Sequence, residues 1–276
     1  MHRERHAERL PAPECQNAAV PIHQIAAAGF DAQAAAYERA RPSYPPDAVA
    51  WIVDALRLGP GRTVLDLAAG TGKLTRLLTP SGACVVAAEP VDGMLRALRA
   101  AVPHVDAIAT TAESLALREA AVDGVTIAQA FHWFEPEPAL EEIHRVIRPG
   151  GRLALIWNGR DMSVSWIATI WGIFDREEAT APWRKNRDRS WLDEPFTDSR
   201  WFGPLHAERF RHLQRTTPAA VVDRVASVSH IAALPPAEHQ RVRDAITTLL
   251  AEHPETRGRD TLDFPYLVDA YWSERR

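Results

Sequence analysis

The apolar positions of the chain fall into two alternating periods. Thr63-Val64-Leu65-Asp66-Leu67 is an apolar run of the kind found in a buried strand, and it breaks into the small residues Ala68-Ala69-Gly70-Thr71-Gly72 before Lys73 to Leu78 takes on helical character. Four more runs of the same type follow at Ala83 to Ala88, Val105 to Ala109, Val122 to Gln129 and Arg152 to Asn158. Helical stretches separate them. Asp47 to Leu56 places Val49, Ile52, Val53 and Leu56 on one side; Asp92-Gly93-Met94-Leu95 opens another helix; and Leu140 to Ile147 is closed by Arg148-Pro149-Gly150-Gly151. Strand, glycine turn and helix in repetition predict an α/β fold with a doubly wound, mostly parallel sheet. Beyond Asn158 the pattern changes. Trp166, Ile167, Ile170, Trp171 and Phe174 form a helical stripe of the kind that packs a core. His206 to Arg215 alternates as an exposed strand, helices are expected from Thr217-Pro218 through Val225 and from Pro235 to Leu250, and Asp260 to Trp272 reads as a final strand.

Composition narrows the picture. At 276 residues and 46% hydrophobic content the chain supports one sizeable core. Residues 1 to 24 mix charge, Pro and Ala without period and are expected to be a flexible tail, leaving 25–276 as one domain. The stretch from about 159 to 205 has the composition of an inserted cap, since six of the nine tryptophans lie between Trp157 and Trp201. A net charge of −4 argues against nucleic acid as a partner, and no apolar run reaches membrane-spanning length. Cys15 and Cys84 are the only cysteines, too few for a disulfide framework or a structural zinc site, so a reducing cytoplasm is the expected location and no metal is expected.

The glycine turn carries the chemistry. Gly70 and Gly72 permit backbone angles and a close ligand approach that a Cβ would block. Asp66, just before the turn, would repel a pyrophosphate and attract an ammonium-bearing ligand. Glu89 closes the second strand, where a carboxylate is placed to accept hydrogen bonds from both hydroxyls of a ribose; a solvated loop acid is the alternative. Ligands of open α/β sheets sit at the carboxyl ends of the strands, so Gln129-Ala130-Phe131-His132-Trp133, which leaves the fourth strand, should line a reacting centre.

Asp-x-x-x-Gly-x-Gly at residues 66–72, Gln-Ala-Phe-His-Trp-Phe at 129–134 and the helix, Arg-Pro-Gly-Gly turn and strand at 140–158 together resemble the class I S-adenosylmethionine-dependent methyltransferases, in particular the small-molecule, methyltransferase type 11-like group. The resemblance covers Tyr37 to Asn158 strongly and implies a Rossmann-like sheet with an antiparallel C-terminal edge strand. It implies S-adenosyl-L-methionine as cofactor, held by Asp66, Ala68, Gly70, Thr71, Gly72, Glu89 and Pro90, with Met94 along the adenine and with Gln129, Ala130 and Phe131 beside the reacting end. Ala112 and Glu113 would hold the adenine edge; the family often has Asp one residue before the Ala, and here that position is Thr111. The pattern Tyr-x-x-x-Arg-Pro-x-Tyr-Pro at 37–45 resembles the lead-in that closes over the cofactor, with Tyr37 and Arg41 facing the methionine carboxylate or the substrate. Tyr44, His132, Trp133 and Trp157 are the candidate substrate contacts, and His132 is the candidate base, since an unperturbed imidazole titrates near operating pH. A packed, hydrogen-bonded histidine is the other reading of that residue.

The implied activity is direct in-line displacement on a sulfonium methyl by a small-molecule acceptor. Arg41 and the run Arg184 to Arg189 point to an anionic one. A non-catalytic S-adenosylmethionine-binding regulator, or an NAD-dependent oxidoreductase, is the alternative; a monomer and a homodimer are equally compatible with the sequence.

Overall fold

The computed structural model describes residues 41–175, 190–232 and 234–276. Tyr37, the N-terminal tail and the basic run from Arg184 to Arg189 lie outside them. Seven strands, β1 (Thr63–Leu67), β2 (Cys84–Ala88), β3 (Asp106–Ile108), β4 (Val122–Ala128), β5 (Ile147–Arg160), β6 (His206–Thr216) and β7 (Leu262–Glu274), form one sheet in the order β3-β2-β1-β4-β5-β7-β6. The first five are parallel, and β7 runs antiparallel to both its neighbours. The C-terminal strand is thus antiparallel, as expected, with β6 outside it. The strand order reverses between β1 and β4, which is where an open sheet of this kind offers a crevice.

Helices cover both faces: α1 (Pro46–Ala55), α2 (Lys73–Leu78), α3 (Asp92–Ala101), α4 (Pro136–Val146), α5 (Ser165–Asp175), the short α6 (Ser190–Asp193) and α8 (Ser229–Ala232), and α7 (Pro218–Ala226) and α9 (Pro236–Glu252). Alternation along β1 divides the core. Val64 joins Ile52 of α1, Leu78 of α2 and Ile246 of α9 on one face, while Leu65 and Leu67 join Leu140 and Ile143 of α4 on the other. A strand buried on both faces reads as an almost continuous apolar run, which is why Asp66 stood out in the sequence.

Two expectations are refined. The Arg-Pro-Gly-Gly segment lies inside β5, which begins at Ile147 directly after α4, and the register against β4 breaks between Val122 and Gly124. Gly151 is required there by contact, because a Cβ would sit 2.4 Å from the Asp123 carbonyl oxygen and 2.5 Å from Ile147 Cγ2. The described parts of the Trp-rich stretch serve the core. Trp166 and Trp171 meet Phe264 edge-on at 5.4 and 6.3 Å between ring centres, and Leu192, Phe196 and Phe202 pack on the opposite face of the sheet. No described helix is long and apolar enough to cross a membrane.

Candidate functional site

Register sets the site. Leu67 lies opposite Ala88 on one side and Ile127 on the other, so β1, β2 and β4 end in one row, and the chain leaves that row at Ala68, Glu89 and Gln129. Ala68 (φ 54°) and Gln129 (φ 61°) are both in the left-handed region, as are Gly70 (φ 59°) and Gly72 (φ 82°). A non-glycine residue held there costs about 1–2 kcal/mol, and such strain concentrates where backbone faces a ligand. Both strained residues line one cleft.

That cleft is floored by Ala68, Ala69, Gly70, Thr71, Lys73 and Leu74 from the end of β1 into α2. Ala128 and Gln129 of the β4 end form one wall, Arg41, Pro42 and Tyr44 of the lead-in cover it, and Asn158 of β5 and Arg224 of α7 close it. Gly70 has no protein atom within 4 Å of the position a Cβ would take, so the loop faces open space there. The Arg41 guanidinium donates to the Ser227 carbonyl at 3.4 Å, joining the lead-in to the chain just beyond α7.

The two acids have distinct settings. Asp66 is wholly buried and does not line the cleft; one of its oxygens accepts from the Thr75 hydroxyl at 2.6 Å and the other from the Thr126 hydroxyl at 3.0 Å. Burial raises its pKa to about 6, against the opposing pull of those hydroxyl bonds. The expected direct contact of Asp66 with a ligand is not what this placement offers. Glu89, also buried, accepts from the Gly70 N–H at 2.8 Å and the Val91 N–H at 2.9 Å, and desolvation raises its pKa as well. It fixes the glycine loop, and each oxygen retains a lone pair for a hydroxyl.

The folded pKa of Asp66 lies above its ordinary value, so the native state holds this proton more tightly than the unfolded chain and stability falls as pH rises from about 4 to about 6. Asp66→Asn removes that loss. It is expected to raise the free protein's stability above pH 6 by on the order of 2 kcal/mol and to flatten the dependence below it, as read by denaturant unfolding at pH 5 and pH 8. An unchanged pH dependence would show that Asp66 is not the titrating group.

His132 departs from its expected role. The residue is exposed, with its ring 4.7 Å from the Trp133 ring. Lost hydration, with the Arg41 charge second, pulls its pKa down to about 4. An imidazole of that pKa is neutral at operating pH but a weak base, so the attraction of an unperturbed histidine is gone. NMR titration of the imidazole nitrogens, assigned by comparison with His132→Asn, should find this ring neutral down to about pH 5. A midpoint near 6.5 would restore the base assignment.

Other expected residues are spread around the row. Phe131 is a core side chain against Phe134 and Phe196, and Ala130 is buried with it. Trp157 packs edge-on to Tyr271, and Trp133 is exposed. Met94 and Ala112 are buried, and Glu113 accepts from the Glu135 N–H at 3.1 Å, which ties its turn to α4. Pro90 lies between Glu89 and the Val91 N–H that Glu89 accepts. None of these lines the cleft described above. Lys73, Asn158 and Arg224 line it and were not anticipated. Lys73 follows the second glycine directly, and Asn158 lies near the carboxyl end of the fifth strand, by the same rule that selected Gln129; Arg224 carries no local signal.

A family profile described as a methyltransferase domain matches residues 65–155. An uncharacterized methyltransferase of Mycobacterium tuberculosis is 41% identical over 239 residues, covering 87% of this chain and 92% of the relative. Among solved structures, a methyltransferase described as type II from Anaeromyxobacter dehalogenans aligns with a TM-score of 0.61 at 24% identity, over 85% of this chain and 96% of that one. A phosphoethanolamine N-methyltransferase of Haemonchus contortus, solved with S-adenosylhomocysteine, aligns with a TM-score of 0.53 at 14% identity, over 88% of this chain and 57% of that one. With the glycine loop, the acid after β2 and the switch point all inside the matched span, the chain belongs to the methyltransferase family.

Proposed function

We propose that this chain is an S-adenosylmethionine-dependent methyltransferase that acts on a small-molecule acceptor by in-line displacement. The observation that carries the reading is the glycine loop, held from behind by Glu89 and open in front of Gly70, at the reversal of strand order. A neighbour with the same fold was solved with S-adenosylhomocysteine.

The residues present fit such a cofactor. The space in front of Gly70 admits its methionine portion, and Glu89 has lone pairs left for the ribose hydroxyls. Asp66, fully buried beneath the loop, supplies a negative field toward a cationic ligand without touching it. When bound, S-adenosylmethionine supplies an electrophilic methyl group, so the chain need only align the acceptor and exclude water. Arg41, Tyr44, Gln129 and Asn158 are placed to orient what enters the cleft. The low pKa of His132 favours an acceptor that is already ionised, for which no base is needed.

The test is incubation with methyl-labelled S-adenosylmethionine and a panel of small carboxylic acids, phenols and amines. Label transfer with release of S-adenosylhomocysteine is expected for at least one member. Tight binding with no transfer across the panel would overturn the enzymatic reading in favour of a cofactor-binding regulator.

A further inference from the structure

Among the described residues, Arg224 is a buried arginine with two orphaned nitrogens. It projects from the last turn of α7, is 6% exposed, and lines the cleft, yet its Nε and Nη1 have no hydrogen-bond partner. A guanidinium removed from water without an acceptor costs several kcal/mol, so a buried arginine with purely structural work is met by carbonyls or carboxylates. Asn158, which lines the same cleft, donates through Nδ2 to the Ser43 carbonyl at 3.2 Å and leaves its Oδ1 buried without a partner. Two side chains that line one cleft thus carry orphaned polar atoms, donors on Arg224 and an acceptor on Asn158.

The charge of Arg224 says what class of ligand would meet it. Arg41, Lys73 and Arg224 line the cleft, and no acidic side chain does among the described residues. S-adenosylmethionine carries a carboxylate, an ammonium and a sulfonium at neutral pH and is itself a net cation. Asp66 and Glu89 are buried behind the glycine loop and do not line the cleft beside Arg224. An anionic group placed against Arg224 would satisfy donors that the protein leaves unpaired.

Resting on the methyltransferase reading above, we propose that Arg224 is the anion anchor of the acceptor subsite: it takes a carboxylate of the methyl acceptor in its planar fork, with Asn158 Oδ1 accepting from a donor on the same molecule. The acceptor class is a small carboxylic acid. Lysine in place of Arg224 would keep the charge and lose the bidentate geometry.

The experiment uses the full chain saturated with S-adenosylhomocysteine and follows thermal midpoint and calorimetric affinity for benzoate, succinate and citrate against benzamide and succinamide. The wild type should prefer at least one carboxylate to its amide. Arg224→Met should lose about tenfold or more of that affinity while its ligand-free thermal midpoint stays equal or rises, because an unpaired buried charge has been removed. Arg224→Lys should keep the preference at reduced affinity, which guards against a Met variant that fails to fold. An equal response to acid and amide in the wild type, or an undiminished carboxylate response in Arg224→Met, overturns the proposal. So does a tenfold loss of S-adenosylhomocysteine affinity in Arg224→Met, which would give this arginine to the cofactor's own carboxylate. If the wild type does not bind S-adenosylhomocysteine at all, the methyltransferase reading fails instead, and the carboxylate titration repeated on cofactor-free protein still decides the role of Arg224.

Discussion

Glu89→Ala is expected to weaken binding of S-adenosylhomocysteine by about tenfold to a hundredfold and to lower stability at the same time. The affinity loss follows from one charge-assisted, two-pronged contact with the ribose hydroxyls, worth roughly 1.5–3 kcal/mol. The stability loss follows from geometry, since the Gly70 and Val91 N–H groups lose their acceptor together. Two buried donors left without a partner cost about 1–3 kcal/mol each, moderated by whatever water enters the space. Glu89→Gln separates the two effects: its single carbonyl oxygen satisfies one N–H, and its amide nitrogen confronts the other. Calorimetry reads the affinity and thermal unfolding the stability. Full affinity in Glu89→Ala would remove the acid from the cofactor site.

Gly72→Val should be the most damaging single change to the fold near the site. A Cβ there would lie 3.0 Å from Val102 Cγ2 and 3.3 Å from Leu98 Cγ, both in the wall made by α3 and the residue after it. The φ of 82° adds the left-handed penalty, made worse by a β-branched side chain. Together these predict a loss of about 3–4 kcal/mol, of order 10 °C in thermal midpoint. Gly70→Val makes the contrast. A Cβ there meets no protein atom within 4 Å and the φ penalty is the main cost, so the fold should lose about 1–2 kcal/mol while cofactor binding is lost to the bulk placed in the cleft. Equal loss of stability in both variants would contradict this division of labour between the two glycines.

What the sequence revealed and what it hid follow from the range of each interaction. The strand at 63–67, its glycine turn and the acid at 89 are local patterns, and each lies where its pattern placed it. The consequences of contact were not legible. Asp66 reads as an acid facing a ligand, because its neutralising partners, Thr75 and Thr126, are brought in by α2 and β4. His132 reads as a base, because nothing local announces the desolvation and the Arg41 charge that depress its pKa. Phe131 reads as a neighbour of the reacting end, and its packing against Phe134 and Phe196 puts it in the core, whereas the tryptophans of α5 read as packing and meet Phe264. Arg224 is one basic residue on an amphipathic helix. Only the fold carries that helix, more than a hundred residues from the glycine loop, to the mouth of the site.

The central claim, that the switch-point cleft holds S-adenosylmethionine, is tested most directly by calorimetric titration of the wild-type chain with S-adenosylhomocysteine and with NAD in parallel, repeated on Gly70→Val. Saturable binding of S-adenosylhomocysteine to a single site, no heat of binding for NAD and loss of the signal in a folded Gly70→Val protein are the predicted results. Binding of NAD in place of S-adenosylhomocysteine, or an S-adenosylhomocysteine signal undiminished by Gly70→Val, would contradict it.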